Sequence, residues 1–352
     1  MSNFEIPKTH RAVIVQADTT VKTEERLIPT VGENEILVKV SAIAINPTDW
    51  KHARRNTSPG TILGCDFAGV VVQVGPNLRV PVKVGNKVAA SLRGGVDKER
   101  GGFAEYVKVY ADLAWIIPEG TYTFEEAATI GIPLYTSVIA LYGPNGLELP
   151  QPGDVNPPAA GTWLFVYGGS SSVGQYAIQL AKLSGYKVIT TASKRNHKLV
   201  KSFGADLAFD YNDPDVVKNI KEATNGSIRL VYDTISEDYT YPLILGSITE
   251  EKSAKISVLH KPDPETVEKR QDIRWLETFI YTAYGPTVNT KNNEEERAVL
   301  SKFLWEKLPG LVRGGLKPNV IKEFDGGLDN VGVALDYLAQ GKASGEKIVY
   351  TL

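Results

Sequence analysis

Along the first third of the chain, apolar residues come in short clusters and not at helical spacing. Arg11–Val15, Glu35–Ala42, Ala68–Val74, Lys87–Ser91 and Phe103–Val109 are runs of strand type, and Gly, Pro and Asn punctuate the stretches between them. Short runs bounded by breakers predict strands, so residues 11–120 read as a compact, mostly-β region. The texture changes at Thr123. It stands ahead of Glu125 and Glu126 as an N-cap stands ahead of first-turn acids, and apolar positions from Ala127 to Ala140 recur at helical spacing. Residues 143–161 are too rich in Pro and Gly to hold an element and read as a linker or surface insertion.

Beyond that stretch the pattern alternates. Thr162–Tyr167 predicts a buried strand, Val173–Ser184 a helix, Lys187–Thr191 a strand, Arg195–Phe203 a helix, Leu207–Asp210 a strand, Asp213–Thr224 a helix and Ile228–Tyr232 a strand. This rhythm predicts an α/β fold with a parallel sheet wound by helices. The last segment predicts a long helical stretch over Asn293–Val312, broken at Pro309, a second helix around Asn330–Gln340 and a closing strand, Lys347–Leu352.

Size and charge narrow the picture. A chain of 352 residues exceeds what one core usually fills, so two domains are expected. A content of 42% hydrophobic and 23% charged residues is that of an ordinary globular protein, and a formal net charge of -2 with scattered Lys and Arg offers no basic patch for nucleic acid or membrane surface. The opening MSNFEIPKTH lacks the basic start and apolar stretch of a secretory signal, no run approaches membrane-spanning length, and a cytoplasmic location is expected. A single cysteine, Cys65, precludes an intrachain disulfide and any multi-thiolate metal site.

One motif carries recognisable chemistry. The strand ending at Tyr167 runs into Gly168, Gly169, Ser170, Ser171, Ser172, Val173 and Gly174 and then directly into a helix. Small residues there let the chain turn tightly and bring N–H groups to a pyrophosphate at the positive end of the helix. Ser171 takes the place of the middle glycine, which weakens the motif, but the strand-loop-helix context is the one a dinucleotide needs. About twenty residues further on, an NAD site usually presents an acid to the ribose. This chain offers Ser193, Lys194, Arg195 and Asn196 instead, which suits the 2′-phosphate of NADPH.

Asn46-Pro47-Thr48-Asp49-Trp50-Lys51, Gly64-Cys65-Asp66-Phe67-Ala68-Gly69, Val74-Gly75, Gly102-Phe103-Ala104-Glu105-Tyr106, the Gly/Ser loop and Ser344-Gly345-Glu346-Lys347-Ile348-Val349-Tyr350 occur in that order and span almost the whole chain. Together they resemble the medium-chain dehydrogenase/reductase superfamily, in its fungal branch of quinone-oxidoreductase-like proteins, aldehyde reductases and trans-acting enoyl reductases. The resemblance implies a GroES-like mostly-β catalytic domain of residues 1–140 and 286–352 and a Rossmann doubly wound cofactor domain of residues 141–285. It also implies cofactor contacts at Thr48, Asp49 and Lys51, at Tyr211 against the adenosine, at Val258 and Leu259 beside the nicotinamide, and at Ala343 and Ser344.

Zinc-dependent relatives place a Cys where this chain has Asn46 and a His-Glu pair where it has Cys65-Asp66. One thiol with no nearby His cannot supply three zinc ligands, so a zinc-independent enzyme is expected. Without a Lewis acid, the easiest hydride chemistry is conjugate addition to an alkene activated by a carbonyl, in an enone, quinone or enoyl thioester. Lys51 is the candidate to stabilise the developing charge, with Asp49 as the buried carboxylate that orients it. The segment Gly131–Val138 resembles the one that borders substrate and nicotinamide in related reductases, with Tyr135 and Thr136 as its polar candidates, and as an apolar helical stretch it also fits plain core. Two readings stay open beside this one: aldehyde reduction with the same cofactor, and a nicotinamide-binding protein without turnover. A small-molecule substrate is the partner expected; a homodimer or a synthase partner is not fixed by the sequence.

Overall fold

The computed structural model describes residues 4–55, 58–249, 253–285 and 292–352. They fall into two compact units, residues 1–132 with 281–352 and residues 133–280. In chain order the elements are β1 (Thr9–Val15), β2 (Val21–Leu27), β3 (Glu35–Ala44), helix α1 (Pro47–Arg54), β4 (Asp66–Val74), β5 (Lys87–Ser91), β6 (Tyr106–Tyr110), β7 (Ala114–Ile116), α2 (Phe124–Ala128) and α3 (Gly131–Tyr142), the last of which carries the chain from the first unit into the second. The second unit continues with β8 (Trp163–Tyr167), α4 (Ser172–Leu183), β9 (Lys187–Thr191), α5 (His197–Ser202), β10 (Leu207–Phe209), α6 (Val216–Thr224), β11 (Leu230–Asp233), α7 (Tyr241–Ser247), β12 (Lys255–Val258), α8 (Pro264–Lys269) and β13 (Arg274–Glu277). The return to the first unit brings α9 (Glu294–Lys302), α10 (Leu308–Arg313), β14 (Ile321–Glu323), α11 (Val331–Ala339) and β15 (Lys347–Thr351).

The first unit is built on the strand path β14-β15-β3-β4-β5-β7, with β6 paired to β3 and a separate antiparallel pair of β1 and β2. Its central strands bury both faces: β3 and β4 expose almost nothing, and Ile36, Val38, Phe67, Val71 and Ile348 form one apolar core with Val13 and Ile14 of β1. The polar strand β2, VKTEERL, has no apolar alternation and was not legible from pattern; it forms because β1 pairs with it from Thr9↔Leu27 to Val15↔Val21.

The second unit has a parallel sheet in the order β10-β9-β8-β11-β12-β13. The strand order reverses between β8 and β11, which is where open α/β sheets bind nucleotides, at the carboxyl ends of the strands. Phe165, Ile189, Val231 and Ile256 lie in register on one face of the sheet and Leu164, Val166, Val188 and Tyr232 on the other, all buried, which explains why these strands were readable as continuous hydrophobic runs.

The predicted break at Pro309 does not occur. Glu294–Lys302 passes through a π-helical turn at Phe303–Lys307 into α10, with Pro309 in its first turn. Proline clashes with the carbonyl four residues earlier, and a wider turn at that point accommodates it without ending the helix. Among the described residues no helix is long and apolar enough to cross a membrane.

The long helix is tied to the sheet by a buried ion pair. Arg297 donates through Nε and Nη2 to Asp112 at 2.9 and 2.8 Å, while Asn34 donates to the same carboxylate at 2.7 Å. Burial alone would raise the pKa of Asp112, but the hydrogen bonds and charge of Arg297 with the Asn34 contact hold it below the usual carboxylate value. A depressed folded pKa means that this stabilisation is present above the unfolded carboxylate range and is lost as pH falls through the folded value. Arg297→Met, which strands a buried carboxylate, is expected to lower stability at neutral pH by about 3–5 kcal/mol in urea denaturation. A loss no larger than that of an exposed ion pair would refute the assignment.

Candidate active site

The cofactor candidates of the second unit begin at the loop after β8. Ser171 N-caps α4, its Oγ accepting the Gly174 N–H at 2.9 Å and lying 2.9 Å from Thr234 Oγ1 of the neighbouring β11 crest. That cap explains the serine at the middle-glycine position: the residue has φ -63, which any side chain tolerates, and the hydroxyl ties the loop to the next strand. Gly174 is needed on other grounds. A Cβ there would fall 2.4 Å from the Gly168 carbonyl oxygen, so only glycine lets the helix start so close to the strand end. Gly168, Gly169, Ser170, Ser172 and Val173 complete a loop of small residues ahead of the helix N-terminus, the arrangement a pyrophosphate needs.

The remaining cofactor candidates of this unit stand along the same carboxyl edge. Ser193 follows β9 and is half-buried, Lys194 and Arg195 in the 3-10 turn are exposed, and Asn196 donates to Ser193 Oγ at 3.3 Å. Tyr211 follows β10 and is 44% exposed. Val258 ends β12, and the N–H of Leu259 donates to Ser236 Oγ at 2.8 Å. Between them, buried Asp233 at the end of β11 accepts from the N–H groups of Ile235 and Ser236 and from Thr240 Oγ1, and its pKa is nevertheless raised because burial outweighs these bonds. The fit to a dinucleotide is good: a glycine-bounded loop at the switch point, a capped helix, and a basic turn beside it. On α3, Tyr135 is fully buried and Thr136 is 5% exposed, so of these two only Thr136 reaches any surface.

The candidates of the first unit centre on α1. Pro47 opens the helix and the Asp49 carboxylate accepts the Asn46 N–H at 2.7 Å, a cap that the polar sequence of this helix concealed. Asp49, His52 and Ala53 form the buried face, while Thr48 and Lys51 are half-buried on the open one. Asp49 therefore does not orient Lys51, as the sequence suggested: it turns into the core, and the Lys51 ammonium leans over the Trp50 ring at 5.9 Å. Burial, before any neighbouring charge, pushes the Asp49 pKa up to about 7, and burial with the Arg93 charge lowers that of His52 to about 4. Ala343 and Ser344 lie half-buried in the loop ahead of β15.

The residues at the positions of a zinc site do converge, but around an ammonium. Lys347, 2% exposed, donates to Asp66 Oδ2 at 3.2 Å and to Asn46 Oδ1, while Asn46 Nδ2 donates to the same Asp66 oxygen at 2.8 Å. The other Asp66 oxygen accepts the Ile132 N–H at 2.7 Å. Cys65 is buried beside this group, and burial followed by the charges of Asp49 and Asp66 pushes its thiol pKa well up, the opposite of a thiolate ligand. Sequence reasoning found Asn46, Cys65 and Asp66 but missed Lys347, whose partners lie 301 and 281 residues away in the chain. A divalent cation here would meet a buried like charge, and the donor set does not fit zinc.

Comparisons with known proteins agree with this architecture. The sequence profile of the alcohol dehydrogenase GroES-like domain matches residues 32–119, and that of the zinc-binding dehydrogenase matches residues 172–257. The chain is 37% identical over 350 residues to the trans-enoyl reductase ACTTS2 of Alternaria alternata, covering 98% of this chain and 99% of that one. It is 34% identical over 329 residues to a zinc-type alcohol dehydrogenase-like protein of Schizosaccharomyces pombe, covering 91% and 93%. The solved structure of the quinone oxidoreductase from Coxiella burnetii aligns over 98% of this chain and 100% of that one, with a TM-score of 0.71 and 25% identity.

Because the buried Lys347 ammonium already engages Asn46 and Asp66, the purified protein is expected to carry no stoichiometric zinc by elemental analysis, and chelator should leave its melting temperature unchanged. One zinc per chain with a chelator-induced drop in melting temperature would overturn this reading of the cluster.

Proposed function

Since the chain belongs to the medium-chain dehydrogenase/reductase superfamily, we propose that it uses NADPH, without zinc, to reduce a carbon–carbon double bond activated by a carbonyl, in an enone, a quinone or an enoyl thioester. The protein is an oxidoreductase of the enoyl and quinone reductase type with a nicotinamide cofactor. The observation that carries the proposal is the Lys347 ammonium seated among Asn46 and Asp66. A carbonyl that no metal polarises is hard to reduce directly, whereas addition at the β-carbon spreads the new charge into an enolate. The full-length likeness to trans-enoyl reductases supports the same reading.

Bound NADPH would supply the hydride. The residues that would hold it are the Gly168–Gly174 loop and α4 N-terminus for the pyrophosphate, and Ser193, Lys194, Arg195 and Asn196 for the ribose phosphate, with Tyr211, Val258 and Leu259 along the same edge. The first unit supplies the charge stabilisation: Lys51 offers an ammonium on the open face of α1, and Thr48 offers a hydroxyl on the same face. Ala343, Ser344 and Thr136 are secondary contacts in this proposal, and Asp49 and Tyr135 act by holding α1 and α3 in place.

Three measurements test it. A screen of NADPH oxidation over enones, quinones, enoyl thioesters and saturated aldehydes is expected to show turnover with the first three, and activity confined to saturated aldehydes would reject the proposal. Lys194→Ala is expected to weaken NADPH about ten- to a hundredfold and NADH less than twofold, and equal losses would remove the case for phosphate recognition. Lys51→Ala is expected to lower kcat/KM about ten- to a thousandfold with a smaller change in NADPH dissociation constant, and wild-type values for both would make it a solvated surface lysine.

A further inference from the structure

Tyr281 is the residue at which the chain re-enters the first unit, and it is 5% exposed. Its hydroxyl lies 2.5 Å from Thr48 Oγ1 and 3.9 Å from Cys65 Sγ. The ring packs at 5.7 Å from the His52 ring and edge-on at 5.8 Å to Tyr284, and the Arg93 guanidinium lies 4.8 Å over its centre. No sequence motif points to this residue, and the reading of the site given above does not use it.

Either oxygen of the Tyr281–Thr48 pair could be the donor. Burial drives the Tyr281 pKa well up, so the phenol keeps its proton and has one to give. An oxygen at 2.5 Å is a strong acceptor and a sulfur at 3.9 Å a weak one, which favours Thr48 over Cys65 as the acceptor of the phenol proton. A hydroxyl that accepts along one direction donates along another. With the phenol as donor, Thr48 keeps its own proton to donate elsewhere, and it stands three residues from Lys51 on α1.

We propose that Tyr281 is a positioning residue that fixes the Thr48 hydroxyl as a hydrogen-bond donor to the substrate carbonyl, where it shares with Lys51 the charge that forms on hydride addition. The inference rests on the reductase reading above. The hydride adds to the β-carbon, the π electrons move onto the carbonyl oxygen, and Thr48 donates a hydrogen bond to that oxygen; no bond to Tyr281 or Thr48 is made or broken. Without the phenol, Thr48 is free to turn its proton inward and present a lone pair to the same oxygen.

The test is a double-mutant cycle of Tyr281→Phe and Thr48→Ala in the full chain, with steady-state kinetics on an enone and NADPH binding by fluorescence. Tyr281→Phe keeps the ring that Arg93 and Tyr284 pack against, so its melting temperature should match wild type. It is expected to lower kcat/KM about tenfold, to leave NADPH affinity within about twofold, and to add less than about twofold in the Thr48→Ala background. Thr48→Ser, which retains the hydroxyl, should keep most of the wild-type rate. A Tyr281→Phe effect as large in the Thr48→Ala background as in wild type, full activity of Tyr281→Phe, or a Thr48→Ser variant as slow as Thr48→Ala would overturn the proposal. A wild-type protein inactive on every activated alkene would sink the reductase reading and this inference together, whereas an active wild type with an additive cycle sinks the inference alone.

Discussion

The buried contact of Lys347 with Asp66 and Asn46 is the constraint on which the first unit depends. Both charged groups are almost wholly removed from water, with Lys347 at 2% and Asp66 at 0% exposure, so each requires the other and its hydrogen bonds to offset a desolvation cost of several kcal/mol. The contact joins the closing strand β15 to β4 and to the cap of α1. Through the second Asp66 oxygen it also holds the Ile132 N–H at the start of α3, where Gly131 is needed because a Cβ would fall 2.1 Å from that carboxylate. The helix that carries Thr48 and Lys51 and the helix that carries Thr136 are thus both anchored to one ion pair.

The same contact bears on the proposed chemistry. A lysine in place of a metal gives the site a fixed positive charge that is already matched by Asp66, so it cannot serve as a Lewis acid for a substrate oxygen. In the proposed reaction charge stabilisation would fall to Lys51 and Thr48, which are half-buried on α1 while Asp49 and His52 are buried. An ammonium and a hydroxyl suit an enolate oxygen better than they suit an alkoxide formed by direct carbonyl reduction, because the enolate demands less stabilisation.

How much of this was legible followed from where each element is buried. β8, β9 and the helix α4 were readable because strands covered on both faces are continuous apolar runs and the Gly/Ser loop lies between them. The polar strand β2, the charged edge strand β13 and the helix α1 were not, because each is held by pairing, sheet-edge position or a side-chain cap and not by apolar periodicity. The basic turn Ser193–Asn196 and Lys51 were visible as residue types in a motif. The zinc positions Asn46, Cys65 and Asp66 were visible as substitutions, but their occupant, Lys347, and the partner of Thr48, Tyr281, were not: in each case the contact is made across more than two hundred residues of chain, and only folding brings the groups together.

The central claim is that hydride goes to the β-carbon of an activated alkene and not to a carbonyl carbon. A 2-alkenal offers both sites in one molecule, so the most direct measurement is product analysis after reaction with NADPH deuterated at the transferable C4 position. The account predicts a saturated aldehyde with deuterium on the β-carbon. An allylic alcohol with deuterium on the former carbonyl carbon would contradict it.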